Sequence, residues 1–351
     1  MERILLYYPA INIPDGNWLR NSLLYTDKVA SIVPFVDMND KRVDDDTKLL
    51  YDNGFYKPIS VFNNLNPSHK EFNKFQENFI NTIESKEFKA YQKVTKDYPW
   101  GQDNGITDYS MYAEKLSHEI VDFLGERNLL KRGNYGVMTV EKNSAIIYMS
   151  MLADYLASIS SDWITPSTDE QEFEKLTFQL ADKKVLTYRL QLESCLPTPS
   201  PDTDIKDIIK FKKARQQEML QFRAVLDTLE QELRNAEDQN EKKLKLIQFQ
   251  ENLQKELLEI KKLLGDSKLD FILNGFSSLL DFKQKEVVGT VSGLGLASAG
   301  VVASLPFLGL GAGALLLTGT LISSYKKINR QVEANSSSYI YYAQKAGLLE
   351  K

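Results

Sequence analysis

Residues 287–325 read VVGTVSGLGLASAGVVASLPFLGLGAGALLLTGTLISSY, and none of them carries a charge. A membrane-spanning helix needs about 20 apolar residues, and this run is roughly twice that. Pro306 stands near its middle. Proline removes a helical hydrogen-bond donor and crowds the preceding turn. The run therefore divides into two apolar helical arms, Val287–Ser304 and Phe307–Tyr325, joined at Ser304-Leu305-Pro306. In the first arm Gly289, Gly293, Ala297 and Gly300 follow steps of four, four and three; Gly309 and Gly313 repeat the spacing in the second. Small residues so spaced share one helix face and let helices approach closely, a glycine-zipper pattern.

The flanks are basic: Lys283 and Lys285 before the run, Lys326, Lys327 and Arg330 after it. Basic residues beside a membrane segment favour the cytoplasmic side, so both ends belong on one side of a bilayer. Each glycine costs about 1 kcal/mol of helix propensity, which makes the arms marginal helices outside lipid or a packed core. The expectation is a membrane hairpin. Burial inside a helical bundle is the other reading, and a third is a hairpin sheathed in solution and released into lipid. Gly293-Leu294-Gly295 and Gly309–Gly313 do not form a dinucleotide fingerprint, which needs a preceding strand, a third glycine at fixed spacing and a later acid.

Outward from the hairpin, Leu196–Pro201 (LPTPSP) holds three prolines in extended chain and marks a boundary. Beyond it, Met219, Phe222, Leu226, Leu229, Leu233 and Ala236 form a heptad seam; Leu246, Phe249, Leu253, Ile260 and Leu264 form a second. One helix over Ile205–Leu264 would run about 90 Å with both seams bare. An antiparallel helical hairpin with its tip near Asp238–Glu241 is expected; a long dimeric coiled coil is the alternative.

The N-terminal half alternates strand and helix. Ile4–Tyr8, Val29–Phe35 and Ile59–Phe62 read as strands, with Pro34 marking the second as short or at an edge. Trp18, Leu19, Ser22, Leu23, Tyr25 and Thr26 recur at helical spacing, and Asp44 or Asp45 caps a helix that Gly54 ends. Ser68 with Glu71 suggests a capping box before Phe72, Phe75, Phe79 and Ile83. Tyr91–Tyr112 reads as a loop, Met111–Leu124 as a helix, Tyr135–Val140 as a strand and Ser144–Ile159 as a helix. The fold expected is an α+β or α/β head (1–196), an all-α antiparallel helical hairpin or stalk (205–285), the Gly-rich apolar hairpin (286–325) and a tail (326–351).

Composition excludes several functions. The net charge is −5, which gives no case for nucleic acid. Cys195 stands alone, so neither a disulfide framework nor a cysteine metal site is expected. The N-terminal apolar run is too short for a signal peptide. His69 and His118 lack an orienting third group. Asp37, Asp40, Asp44, Asp45 and Asp46 cluster, but Arg42 and Lys48 stand where a calcium loop needs glycine and acid. No cofactor, metal or catalytic residue is assigned.

Three groups of motifs carry a family resemblance. The first comprises Tyr7-Tyr8-Pro9, Ile13-Pro14-Asp15, Trp18-Leu19, Leu24-Tyr25-x-Asp27-Lys28 and Ile32-Val33-Pro34. The second comprises Tyr148-Met149-x-Met151-Leu152-Ala153, Leu156-Ala157 and Thr168-Asp169, and the third runs from Phe211 to Phe222-Arg223. Over Arg3–Leu233 the chain resembles a family of uncharacterised bacterial proteins known only as a domain of unknown function. The resemblance implies a bacterial cytoplasmic α/β head and supplies no catalytic residue; the apolar hairpin belongs to only some members.

These readings converge on a membrane-directed, non-enzymatic protein with an α/β sensing or binding head, suited to a toxin-like or phage-defence effector. Its expected partners are a lipid bilayer and further copies of itself. Its expected place is the cytoplasmic face of the inner membrane, or the cytoplasm with triggered insertion. The alternatives are a hydrolase or nuclease head on a membrane anchor, and a wholly soluble helical interaction protein.

Overall fold

The computed structural model describes residues 2–34, 37–61, 64–65, 69–86, 88–89, 108–170, 196–235, 239–264 and 331–349. The chain is a mixed α/β N-terminal region followed by a mostly helical C-terminal part. It divides into two compact units: Met1–Glu193 with Thr198–Ala214, and Ser194–Pro197 with Arg215–Lys351.

Four parallel strands form the centre of the first unit, in the order β3 (Tyr56–Ser60), β2 (Lys28–Val33), β1 (Arg3–Tyr7), β7 (Trp163–Ser167). β1 and β2 read RILLY and KVASIV, apolar on both faces, as interior parallel strands must be. Ile4, Leu6 and Tyr8 join one core, while the ring of Tyr7, on the opposite face, lies 5.0 Å from that of Trp18. Trp18 belongs to α1 (Asn17–Tyr25), which packs on β2 and on α6 (Ile205–Ala214). The prolines within strands fall at the sheet's two edges: Pro58 in β3 and Pro166 in β7. Only an edge strand tolerates the missing N–H.

The larger core lies on the other face. α3 (Lys70–Glu84) and α5 (Lys142–Ile159) pack on one another, and α5 packs on β7. Phe72, Phe75 and Phe79 recur every three or four residues, so they share one face of α3. Phe75 and Phe79 meet the ring of Tyr148 at 5.5 and 5.2 Å. α5 (KNSAIIYMSMLADYLASI) is apolar nearly all round because it also touches β4 (Asp108–Tyr112) and β6 (Val137–Glu141). Those two strands and β5 (Leu130–Arg132) make an antiparallel sheet in the order β4-β6-β5. Glu141 caps α5, accepting from the backbone N–H groups of Asn143 and Ser144.

Several boundaries differ from those the sequence predicts. β2 is interior, and Pro34 lies just beyond its end, so the edge reading of Pro34 is corrected. β3 begins three residues before the predicted Ile59 start. The N-cap of α3 is His69, without a side-chain bond; Ser68 is outside the described residues. The end of the predicted 91–112 loop is β4, which finds its partner in β6. The helix predicted from Met111 starts instead at His118 as α4 (His118–Glu126), where the Ser117 side chain accepts from Ile120 N–H. Asp44 does cap α2 (Asp45–Asp52), accepting from Thr47 N–H at 2.7 Å. Gly54 follows that helix at φ +80°, a left-handed turn natural to glycine.

In the second unit α7 (Gln216–Asn235) packs on α8 (Gln239–Leu264), and α9 (Ser338–Lys345) packs on both. Met219, Phe222, Leu226 and Leu229 are buried, as are Phe249, Leu253, Leu257 and Ile260. Phe222 stacks on Tyr339 at 6.1 Å, the Arg215 guanidinium lies 3.7 Å from the centre of the Tyr342 ring, and Glu256 accepts from the hydroxyls of Ser336 and Ser337.

The membrane and transmembrane-helix expectation is corrected: among the described residues, no helix is long and apolar enough to cross a membrane. The two longest, α7 and α8, are rich in Lys, Arg, Glu and Gln. Residues 287–325 lie outside the described residues. So do Gly289, Gly293, Ala297, Gly300, Gly309 and Gly313, and the basic flanks Lys283, Lys285, Lys326, Lys327 and Arg330. The glycine-zipper reading concerns these same residues and lies outside the described ones with them; the coiled-coil reading, drawn from the heptad seams, and the oligomer reading are not carried forward.

Two lysines in the first unit are each only 4% exposed: Lys115, in the single 3-10 turn after β4, and Lys212 on α6. The Lys212 amine donates to the carbonyls of Thr26 (2.7 Å) and Asp27 (3.1 Å) and lies 4.4 Å from the centre of the Phe55 ring. It thus closes the C-terminal end of α1, where a cation suits the helix dipole. Burial pushes both amines down to about 7. An unfolded lysine titrates near 10.4, so at intermediate pH the unfolded chain binds more protons and stability rises with pH. Urea unfolding should therefore show a midpoint that climbs from about pH 7.5 to 9.5, and Lys115→Met should flatten that climb. Phe79 is fully buried, and Phe79→Ala should cost about 3–5 kcal/mol in the same assay.

Candidate functional site

The strand order creates a crevice. From β1 the chain moves outward to β2 and then β3, whereas β7 lies on the other side of β1, pairing Arg3 with Trp163 and Tyr7 with Ser167. The direction of strand addition therefore reverses at β1, and in open parallel sheets ligands bind at such a switch point. Here the crevice is formed by the end of β1, the loop into α1, the first turn of α1 and residues 167–170.

Its side chains hold one another in place. Tyr7 donates its phenolic hydrogen to Asp169 Oδ1 at 3.1 Å, and the Trp18 indole N–H donates to Ser167 Oγ at 3.1 Å. The Thr168 hydroxyl accepts from Glu170 N–H at 3.0 Å, and the Tyr109 hydroxyl of β4 donates to the carbonyl of Pro9. Asn12 joins neighbouring loops, donating to Arg42 O at 2.8 Å and accepting from Asp44 N–H at 3.1 Å. Burial pushes the Tyr7 phenol well above its ordinary range, and the Asp169 and Glu170 carboxylates push it further. Burial does the same for Tyr109, again reinforced by Glu170. Both phenols stay protonated and act as donors, leaving the carboxylates as the acceptors. Tyr7 and Trp18 are buried, whereas Asp169 and Glu170 are exposed.

The adjoining loops are acidic as well. The Asp46 carboxyl is raised by burial, then by Asp15, Asp44, Asp204 and Asp45, so these carboxylates share one neighbourhood. Cations in these loops are engaged: Arg20 pairs with Asp15 at 2.7 Å and donates to Thr203 O; Arg42 forks onto Asp40 and lies 5.0 Å from the centre of the Tyr112 ring. Hydrogen bonds from Arg42 hold Asp40 down at about 2. Among the described residues no group of three or more His, Cys, Asp or Glu is placed to hold a metal ion.

The five acids singled out in the sequence thus serve separate local purposes. Asp44 caps α2, Asp40 holds Arg42, and Asp37 accepts from Asn39 N–H. His69 is the N-cap of α3 and His118 opens α4, both outside the loops of the crevice; His118 Nε2 is 3.4 Å from Asp122 on an exposed face. Cys195 lies outside the described residues. Sequence spacing did not mark Tyr7, Trp18, Ser167 or Asp169 as a site. The available signal was that Tyr7-Tyr8-Pro9, Trp18-Leu19 and Thr168-Asp169, far apart in the chain, all belong to the resemblance motifs. In the second unit, a cleft of about 540 Å³ is lined by mixed residues of α7 and α8 with Ser337.

The first unit is thus a mixed α/β domain whose open parallel sheet has a polar, acid-lined switch point. The chain belongs to the Family of unknown function (DUF6236), whose model matches residues 152–347, more than half of the chain. The match takes in the C-terminal half of α5 from Leu152, β7 and the Asp169 side of the crevice, while Tyr7 and Trp18 precede it. No curated protein and no solved structure matches the chain.

Tyr7→Phe removes the bond to Asp169 and keeps the ring against Trp18. It should lower stability by about 1 kcal/mol in urea unfolding, with the tryptophan emission maximum of the folded state unchanged.

Proposed function

We propose that the α/β unit is a non-catalytic sensing or binding head that takes a small organic cation, such as an amine or guanidinium, at the β1–β7 crevice. The observation that carries this reading is the exposed Asp169 carboxylate, fixed by the buried Tyr7 hydroxyl at the switch point and followed by Glu170. A charged acceptor held rigidly in place gives direction as well as attraction. The surrounding acids Asp15, Asp44, Asp45, Asp46 and Asp204 favour the same sign of ligand.

Calorimetric titration of the full chain with arginine, spermidine and ATP tests the proposal. A cation should bind, ATP should not, and Asp169→Asn should weaken the cation by roughly tenfold or more, as loss of a hydrogen bond to a charged group implies. Binding of ATP with no binding of either cation would reverse the reading.

A further inference from the structure

The cleft between α7 and α8 in the second unit has a volume of about 540 Å³. Well-packed interiors leave few voids larger than a water molecule, and a volume of this order is that of a small-molecule site. Its floor is apolar. Val225 and Leu229 lie four apart on α7, and Phe249 and Leu253 four apart on α8, so each pair shares one helix face. Leu229, Phe249 and Leu253 are buried. A ligand can reach that floor from solvent, because Thr228, Glu232, Asn252 and Glu259 also line the cleft and are exposed.

The charge around the floor has one prevailing sign. Glu232, Glu256 and Glu259 line the cleft against a single amine, that of Lys255. Glu256 is held in place: its Oε2 accepts from the hydroxyls of Ser336 and Ser337. Ser337, itself only 1% exposed, closes the cleft on that side. A carboxylate offers about four acceptor positions over its two oxygens, so Glu256 keeps capacity for a ligand.

We propose that this cleft binds a small amphipathic amine, with its alkyl or aryl group on the apolar floor and its ammonium at Glu256. A fatty acid of the same length would set its carboxylate among three others. A cation without an apolar tail would leave the floor uncovered and gain nothing from it. The cleft belongs to the second unit, and the proposal does not rest on the reading given to the β1–β7 crevice.

Calorimetric titration of the full chain at pH 7 with octylamine, ethylamine and octanoate tests this. Octylamine should bind, ethylamine should bind at least about a hundredfold more weakly for want of the buried methylenes, and octanoate should not bind. Glu256→Gln keeps an acceptor for the two serine hydroxyls and removes the charge; it should weaken octylamine by about tenfold or more, with the urea midpoint reporting on the fold. Thr228→Trp, a change at an exposed position, should block the cleft and abolish octylamine binding. Asp169→Asn should leave octylamine binding unchanged, which separates this site from the crevice. No binding of octylamine, equal binding of octanoate, or binding lost in Asp169→Asn and kept in Thr228→Trp would overturn the proposal.

Discussion

The parallel pairing of β1 with β7 is the constraint on which the first unit depends. β1 is buried on both faces and needs hydrogen-bonding partners on both edges. One comes from β2, only about twenty residues away; the other arrives after α3, the antiparallel sheet, α4 and α5 have been laid down. That long crossover reverses the direction of strand addition and opens the crevice. The same pairing aligns Tyr7 with Ser167, which brings Asp169 to the Tyr7 hydroxyl and the Ser167 hydroxyl to Trp18.

At the carboxyl edge of the sheet, carboxylates cluster and the buried phenols of Tyr7 and Tyr109 act as donors, Tyr7 to Asp169 and Tyr109 to the carbonyl of Pro9. Beyond β4, Lys115 is as buried as Lys212, and burial lowers both amines; Lys212 is held against two carbonyls and an aromatic ring.

The elements legible in the sequence were those whose cause is local. Asp44 caps α2 because its side chain reaches Thr47 N–H within one turn. The spacing of Phe72, Phe75 and Phe79 fixes which face of α3 is buried, and the seams of α7 and α8 do the same. What escaped was non-local. β4 looked like loop because its partner β6 lies about thirty residues on, and β7 (WITPS), five residues with a proline, carries no periodicity of its own. The membrane reading rested on the composition of a single run, and composition states a preference for an environment without stating where the chain is placed.

By itself, then, the amino-acid sequence determined an α/β head followed by helices, most helix faces, a cap at Asp44 or Asp45 and membership of a family of unknown function, because each depends on residues within a turn or two or on motif identity. Only tertiary structure decided the strand order, the interior place of β2, the meeting of Tyr7 with Asp169 across 162 residues and the burial of Lys115 and Lys212. The physical reason is that hydrogen-bond partners and desolvation are properties of neighbours in space, and spacing along the chain records only neighbours in sequence.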